Sequence, residues 1–223
     1  MARRRGPAPI PNRLVRRLAP ALAALLIAFV GNLVYRGAER GQADAPATSQ
    51  RGPAAPGGSG AVPGQAVPAG RYTLTGTVVN VADGDTVTLR TAEGQRRVRL
   101  DSIDAPETGH GADQPGQPYA EAARKHLAEL VAGREITAQC YERDQYEREL
   151  CALMLPDGNS ANRAMVAAGY AWAYTARRGD YLRDQALPAL QRQARDAGRG
   201  LWQGKQPTEP WKWRYDCWKQ RQC

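Results

Sequence analysis

The sequence has few of the residues on which histidine and zinc sites depend. It contains two histidines and four cysteines among 223 residues. His126 falls in a predicted helix and His110 in a polar loop, so neither supports histidine-based catalysis. No Ser/His/Asp set, phosphate-binding glycine loop or internal repeat stands out. The cysteines form two distant pairs without a CxxC motif, which argues against a zinc site.

Excess positive charge is also scarce in the part of the chain that looks globular. The formal net charge is +9, but residues 1–70 hold nine arginines against two acids, Glu39 and Asp44. Residues 71–223 hold 22 Lys and Arg against 20 Asp and Glu, which leaves only +2. The overall charge therefore says little about what the globular part binds.

The N-terminal region has the pattern of a membrane-targeting segment. Residues 1–17 contain six arginines and precede an apolar run of 18 residues, 18–35. A helix needs about 20 residues to span a bilayer, and positive charge before the run places the N-terminus inside. We expect a transmembrane signal-anchor that leaves the rest of the chain on the extracytoplasmic side. A cleaved signal peptide, ending near Ala43-Asp44-Ala45, is the alternative and would make the protein secreted.

Residues 36–70 are rich in Ala, Gly and Pro and poor in large apolar side chains. Such a segment buries too little apolar surface to offset the entropy of ordering. We expect a disordered linker that holds the following domain away from the membrane.

From residue 71 onward, alternating and helical apolar patterns predict an α+β domain. Short turns join the first three strands, Gly133 ends the first helix, and Pro188 should kink or restart the last one. This order suits a small five-stranded antiparallel OB-type β-barrel with three packed helices. The predicted elements are a strand at 72–81, a turn followed by a strand at 83–91, a strand at 96–103, a helix at 118–132, strands at 134–141 and 149–155, and helices at 160–168 and 180–197.

Two short acidic motifs flank the predicted strands. DGDT at 83–86 lies where the second strand begins, and DAPE at 104–107 lies where the third strand ends. If these strands are neighbours, the carboxylates converge at one end of the barrel, where their oxygens suit calcium or magnesium. A single DGD motif is more often a capped turn with a solvated acid.

Two arginines accompany the acidic motifs. Arg99 lies on the third strand, where alternation should place it on one face with Asp101 and Ile103. Arg148 lies in DQYER, at the turn of the second hairpin. Either arginine alone would ordinarily be a surface residue.

Taken together, the motifs resemble the staphylococcal nuclease (thermonuclease) family. The similar stretches are VADGDTVTLR, VRLDSIDAPET, DQYERELC, GLWQ and PWKWR, in order and register from Tyr72 to Arg214. The resemblance implies a calcium-dependent nuclease domain over 71–214, followed by a cysteine-containing tail at 215–223.

The resemblance also implies a role for each matching residue. The calcium ligands would be the carboxylates of Asp85 and Asp104 and the main-chain carbonyl of Ala105. Glu107 would activate the attacking water, and Arg99 and Arg148 would stabilise the charge that develops on the phosphate. Near these residues the resemblance places Asp83 beside the metal ligands, and Tyr146 and Tyr174 in the nucleotide pocket.

The expected partners are a nucleic acid substrate, DNA and/or RNA, and the membrane through the N-terminal helix; no obligate protein partner is inferred. Family members leave 3′-phosphates. The alternative is a catalytically silent OB-type module that binds nucleic acid or protein.

Glu147 stands where the family usually has Gly, and Gln145 where it often has Lys or Arg. A positive φ at Glu147 would strain the turn and reduce activity by misplacing Arg148.

The cysteines of an exported domain are expected to form disulfides. Four cysteines allow three pairings, of which we favour Cys140–Cys151 with Cys217–Cys223. Free buried thiols are the alternative and would be expected of a cytosolic domain.

Overall fold

The computed structural model describes residues 65–205 and 207–223. The predicted basic segment 1–17, the apolar run 18–35 and the linker up to residue 64 lie outside this part of the chain. Within the described residues, no helix has the length and apolar character required to cross a membrane. The backbone carbonyls of Gln65 and Ala66 accept hydrogen bonds from the buried Arg163, at 2.7 and 2.9 Å. Contacts with the domain thus begin six residues before residue 71.

A closed barrel of five strands confirms the predicted fold class. The strands adjoin in the order β1 (Tyr72–Val81), β2 (Thr86–Thr91), β3 (Gly94–Leu100), β6 (Glu149–Met154) and β5 (Glu135–Arg143), and helices pack on the outside. One pair, β3 with β6, is parallel rather than antiparallel. The chain between them includes a helix and two further strands, and such a crossover lets β6 run in the same direction as β3. The elements are β1 (Tyr72–Val81), β2 (Thr86–Thr91), β3 (Gly94–Leu100), β4 (Ile103–Asp104), α1 (Ala120–Val131), β5 (Glu135–Arg143), β6 (Glu149–Met154), α2 (Ala161–Ala167), β7 (Trp172–Ala173), α3 (Leu187–Asp196) and α4 (Pro210–Trp213).

The barrel core follows from the alternation of apolar residues along its strands. Inward-facing side chains alternate with outward-facing polar ones, as expected of a sheet with one buried face. Helix α1 buries Ala123, Leu127 and Val131 at helical spacing and so covers the barrel. The buried barrel side chains include Val78, Val87, Leu89, Val98, Leu100, Ile136, Ala138 and Leu153.

The third strand ends earlier than predicted. It stops at Leu100, and Ser102 adopts φ 63° in the left-handed region, which turns the chain. The chain then re-enters a two-stranded sheet, in which Ile103 and Asp104 pair with β7. The prediction that Arg99, Asp101 and Ile103 share one face is therefore wrong. Ile103 is buried, and Asp101 instead forms an ion pair with Arg183.

The last predicted helix also begins at a different residue. Helix α3 starts at Leu187 rather than at Asp180, with Pro188 in its first turn. The reason is that the proline ring fits the first turn of a helix but would remove a hydrogen bond from its interior. The residues after it form a further helix, α4, and a π-helical turn at Arg214–Lys219, neither of which was predicted. We call residues 207–223 the C-terminal segment.

Two disulfides join the pairs favoured from the sequence. Cys140 and Cys151 lie directly opposite each other on β5 and β6, and both are fully buried. Cys217 and Cys223 close a short loop within the C-terminal segment.

The turn between β5 and β6 is built around Asp144. Its Oδ1 accepts hydrogen bonds from the backbone N–H groups of Tyr146 and Arg148, at 2.9 and 3.0 Å. Glu147 has φ 59°, so this position does require the left-handed conformation that glycine adopts most easily. The two hydrogen bonds to Asp144 hold the backbone of Arg148 in place despite that conformation.

Removing the Cys140–Cys151 disulfide should destabilise the domain. The double variant Cys140→Ala/Cys151→Ala should lose about 2–4 kcal/mol of unfolding free energy, because the reduced unfolded chain gains conformational freedom. Urea denaturation monitored by circular dichroism measures the loss. The matched variant Cys217→Ala/Cys223→Ala should lose less, since its loop is shorter and lies outside the barrel. Equal losses for both pairs would contradict this expectation.

Replacing Glu147 with glycine should stabilise the domain. A side chain in the left-handed region destabilises the folded state by about 1–2 kcal/mol, which glycine would relieve. The greater freedom of glycine stabilises the unfolded chain and offsets about 0.5–1 kcal/mol of that gain. The net gain in unfolding free energy should be roughly 0.5–1 kcal/mol. Urea denaturation is the measurement, with Glu135→Gly, an exposed residue of β5 in regular pairing with β1, as the comparison that should destabilise. A destabilised Glu147→Gly variant would show that the turn is not strained.

Candidate active site

The DGDT turn places Asp85 at the start of β2. The Oδ1 atom of Asp83 accepts the backbone N–H of Asp85 at 2.9 Å, which fixes the turn from within. A Cβ atom at Gly84 would lie 2.7 Å from the Cβ of Ala105 and 2.8 Å from that of Ala123. Only glycine therefore lets the turn pack against the chain after β4 and against α1.

Asp85 and Asp104 are brought together as predicted, and both are buried. Asp85 is 3 % exposed and Asp104 is 0 % exposed. The Oδ2 of Asp85 accepts the backbone N–H of Ala105 at 3.0 Å, and its Oδ1 accepts the hydroxyl of Thr86 at 3.0 Å. Burial raises the pKa of Asp85, and the nearby Arg99 opposes that shift.

Arg99 bridges these two carboxylates. Its Nη1 lies 2.6 Å from Oδ1 of Asp85, and its Nη2 lies 2.6 Å from Oδ1 of Asp104. Burial alone would lower the pKa of Arg99, but the two carboxylates raise it above its usual range. The guanidinium therefore remains protonated. It can stabilise negative charge and donate hydrogen bonds, but it cannot act as a general acid.

Glu107 lies on the loop that follows β4. Its backbone N–H donates to Oε1 of Gln117 at 3.1 Å, which ties the loop together. Burial raises the pKa of the Glu107 carboxyl to about 7, although Arg214 opposes the shift. A carboxylate with a pKa near neutrality is suited to accept a proton.

The sequence did not identify Arg214 as a site residue. Its Nη1 and Nη2 donate to the two carboxylate oxygens of Asp104, at 3.2 and 2.8 Å, and Nη1 also contacts Glu107. Its motif PWKWR contributed to the family resemblance. No spacing, however, connects Arg214 to an acid 110 positions earlier.

Arg148 projects from the β5–β6 turn into the same region. Its Nε and Nη2 lie 2.8 and 2.7 Å from Oδ2 of Asp144. Its guanidinium carbon lies 5.4 Å from the ring centroid of Tyr146, a cation–π contact. Arg148 thus pairs with an acid of its own turn, while Arg99 pairs with Asp85 and Asp104.

A cleft of about 1030 Å³ brings most of the predicted residues together. Tyr146 is 63 % exposed, and Tyr174 packs edge-on against Trp211 with 5.4 Å between ring centroids. Asp85, Asp104 and Ala105 lie behind the cleft rather than along its lining. The site residues along the lining are Arg99, Glu107, Tyr146, Arg148, Tyr174 and Arg214.

The carboxylate pair has the chemistry of a hard-cation site. Asp85 and Asp104 supply oxygens of the kind that Ca²⁺ prefers, and the carbonyl of Ala105 could add another. A cation there would compete with Arg99 and Arg214 for the same oxygens. Across residues 65–205 and 207–223, no group of three or more His, Cys, Asp or Glu side chains is arranged to hold a metal ion. The oxygen ligands are thus of the kind that suits Ca²⁺, but the protein supplies few of them.

Comparisons with known proteins agree with the family resemblance of the sequence. Residues 97–204 match the family described as "Staphylococcal nuclease homologue". An "Uncharacterized endonuclease" of Escherichia coli is 40 % identical over 142 residues, which is 64 % of this chain and 86 % of the relative. The "Micrococcal nuclease" of Shigella flexneri is 36 % identical over 147 residues, which is 62 % of this chain and 79 % of the relative. Since the alignments span most of the relatives' length, the chain belongs to the staphylococcal nuclease homologue family.

Proposed function

We propose that this chain is a calcium-dependent endonuclease that hydrolyses phosphodiester bonds in DNA and/or RNA. The observation that carries the proposal is the convergence of Glu107, Arg99 and Arg148 on one cleft, in front of the buried pair Asp85 and Asp104. The names of the Escherichia coli and Shigella flexneri relatives, an endonuclease and a nuclease, support the same activity.

Asp85 and Asp104, with the carbonyl of Ala105, are the residues that would hold Ca²⁺. When bound, the ion supplies Lewis-acid polarisation of a phosphoryl oxygen and makes a coordinated water easier to deprotonate. Asp83 contributes indirectly, because its hydrogen bond to the backbone of Asp85 fixes that ligand's position.

Glu107 serves as the general base. Its carboxylate lies at the cleft and accepts the proton of the water that attacks phosphorus. The bond from phosphorus to the 5′ oxygen breaks as the new one forms, and the leaving oxygen takes up a proton from solvent. A pKa near 7 matches a proton acceptor that works close to neutral pH. The hydrogen bond from its backbone N–H to Gln117 limits the movement of the loop that carries it.

Arg99 and Arg148 stabilise the charge that builds up on the phosphoryl oxygens. Each guanidinium has five N–H groups. Arg99 directs two of them to Asp85 and Asp104, which leaves others for the substrate. Tyr146 and Tyr174 offer aromatic faces on which bases can stack without sequence preference. The site therefore binds phosphate by charge and bases by stacking.

A catalytically silent module that binds nucleic acid or protein is the second candidate. It is favoured by the ion pairs of Asp85 and Asp104, because Arg99 and Arg214 already neutralise these acids. A carboxylate at the cleft with a pKa raised to about 7, as Glu107 has, however, has no role in such a module.

We further propose that the domain works outside the cytoplasm, held to the membrane by the run at 18–35 or released if that segment is cleaved. The two disulfides support this location, because they persist in oxidising compartments.

The purified full chain should cleave plasmid DNA in the presence of calcium and should stop when a chelator is added. Glu107→Gln should slow cleavage about 10²-fold or more, since the amide cannot accept the proton. Agarose gels and steady-state rates measure both effects. The matched control Glu129→Gln, an exposed change on α1, should cut at the normal rate. No cleavage between pH 7 and 10, with calcium present, would overturn the nuclease proposal.

The cysteines should be oxidised in cells that make the protein. Alkylation before lysis, followed by peptide mapping without reduction, should find Cys140 joined to Cys151 and Cys217 joined to Cys223. Because the cytosol keeps thiols reduced, oxidised pairs support the extracytoplasmic location. Alkylated free thiols at Cys140 and Cys151 would contradict it.

A further inference from the structure

Arg214 has no role in the reaction described above, yet it contacts the site's acids more extensively than either proposed catalytic arginine. It makes three hydrogen bonds to Asp104 and Glu107, whereas Arg99 makes two to Asp85 and Asp104. We propose that Arg214 is a third phosphate-binding arginine of the site, supplied by the C-terminal segment. This inference rests on the proposed nuclease function.

The first argument is the geometry of its donors. The guanidinium carries five N–H groups, of which three are directed to carboxylate oxygens. The others remain for a substrate. The side chain is 33 % exposed and lines the same cleft as Arg99 and Arg148. A phosphate that reaches Glu107 therefore also comes within range of Arg214.

The second argument is the charge of the site. Arg148 and Asp144 form a neutral pair of their own. Among the other groups in contact, the carboxylates of Asp85, Asp104 and Glu107 exceed the guanidiniums of Arg99 and Arg214 by one unit of negative charge. A divalent cation together with one phosphodiester anion brings the total to zero. Without Arg214, the same assembly would keep a negative charge that repels the phosphate. That repulsion is strong in a partly buried site, where the effective dielectric constant is low.

The third argument is how firmly Arg214 is placed. The indole N–H groups of Trp213 and Trp218 both donate to the carbonyl of Pro115, at 3.2 and 2.9 Å. Gln117 donates to the carbonyl of Thr208 at 2.6 Å. These contacts attach the C-terminal segment to the loop that carries Glu107.

The same attachment sets the distance between the base and Arg214. Gln117 binds the segment through its Nε2 and the backbone of Glu107 through its Oε1. One side chain thus links the loop and the segment. The disulfide Cys217–Cys223 closes the turn that follows Arg214. The guanidinium is therefore held in position before any substrate arrives, as is expected of a preorganised charge-stabilising group.

Cleavage kinetics of three full-chain variants test the proposal. Arg214→Gln should lower kcat/KM about 10²-fold, the usual scale for one charge-stabilising donor. Arg214→Lys should lower it about tenfold, since an ammonium keeps the charge but not the forked geometry. The matched control is Arg221→Gln, which removes a charge from the same segment at a site 67 % exposed and paired with Asp113. It should stay within about twofold of the unmutated chain.

Binding without cleavage separates a phosphate contact from a structural effect. In a Glu107→Gln background with calcium, fluorescence anisotropy measures the affinity for a labelled single-stranded oligodeoxythymidylate as salt is varied. Adding Arg214→Gln should reduce the slope of log K against log salt by about 0.7, the value for one phosphate contact on a single strand. Adding Arg221→Gln should leave the slope unchanged.

Two results would overturn the proposal. An undiminished kcat/KM in either Arg214 variant would show that Arg214 only occludes the carboxylates, and an unchanged salt slope would show that it does not contact phosphate. Either result can be told apart from failure of the nuclease proposal itself. If the unmutated chain does not cleave with calcium, that function falls, while the salt slope still decides whether Arg214 binds phosphate. Arg214→Lys serves as the test variant should Arg214→Gln not fold.

Discussion

The charge on Asp104 is the constraint on which the site is built. A carboxylate with no exposed surface is stable only when opposite charge is brought to it, because burial removes its hydration. Arg99 comes from the barrel and Arg214 from the C-terminal segment, and both reach this one side chain. The short sheet that contains Asp104 and the docking of residues 207–223 therefore depend on the same ion pairs. A substitution at Asp104 would therefore alter both the packing of these segments and the charge of the site.

The near-neutral domain still presents a cationic cleft because its charges are arranged unevenly. Residues 71–223 have a net charge of only +2. The acids Asp85 and Asp104 lie behind the cleft, while Arg99, Arg148 and Arg214 reach its lining. The lining carries six arginines and four carboxylates, those of Asp101, Glu107, Glu142 and Asp144, so a phosphate in the cleft meets more guanidinium groups than carboxylates. Net charge was a poor guide because it cannot register which side chains face the cleft.

Local patterns predicted the local parts of the structure. Apolar alternation located the strands that bury Val87 and Leu89, and helical spacing located α1, because both depend on neighbours in sequence. The break after Leu100 was missed, since Ser102 adopts a positive φ that its residue type does not demand. The family resemblance predicted the residues that meet at the cleft. Arg214 was missed because its contact with Asp104 depends on tertiary docking, which no repeat or spacing encodes.

The position of Arg214 has a consequence for the order in which the site is assembled. The chain emerges from the ribosome with its N-terminus first, and every strand of the barrel precedes residue 155. Arg214 and both tryptophans that bind Pro115 lie well after the last barrel strand, β6. While the chain is being made, Asp104 can pair with Arg99 alone, and Glu107 has no guanidinium beside it. A chain that extends past Arg214, rather than a completed barrel, is thus the first species to possess all the charges of the site.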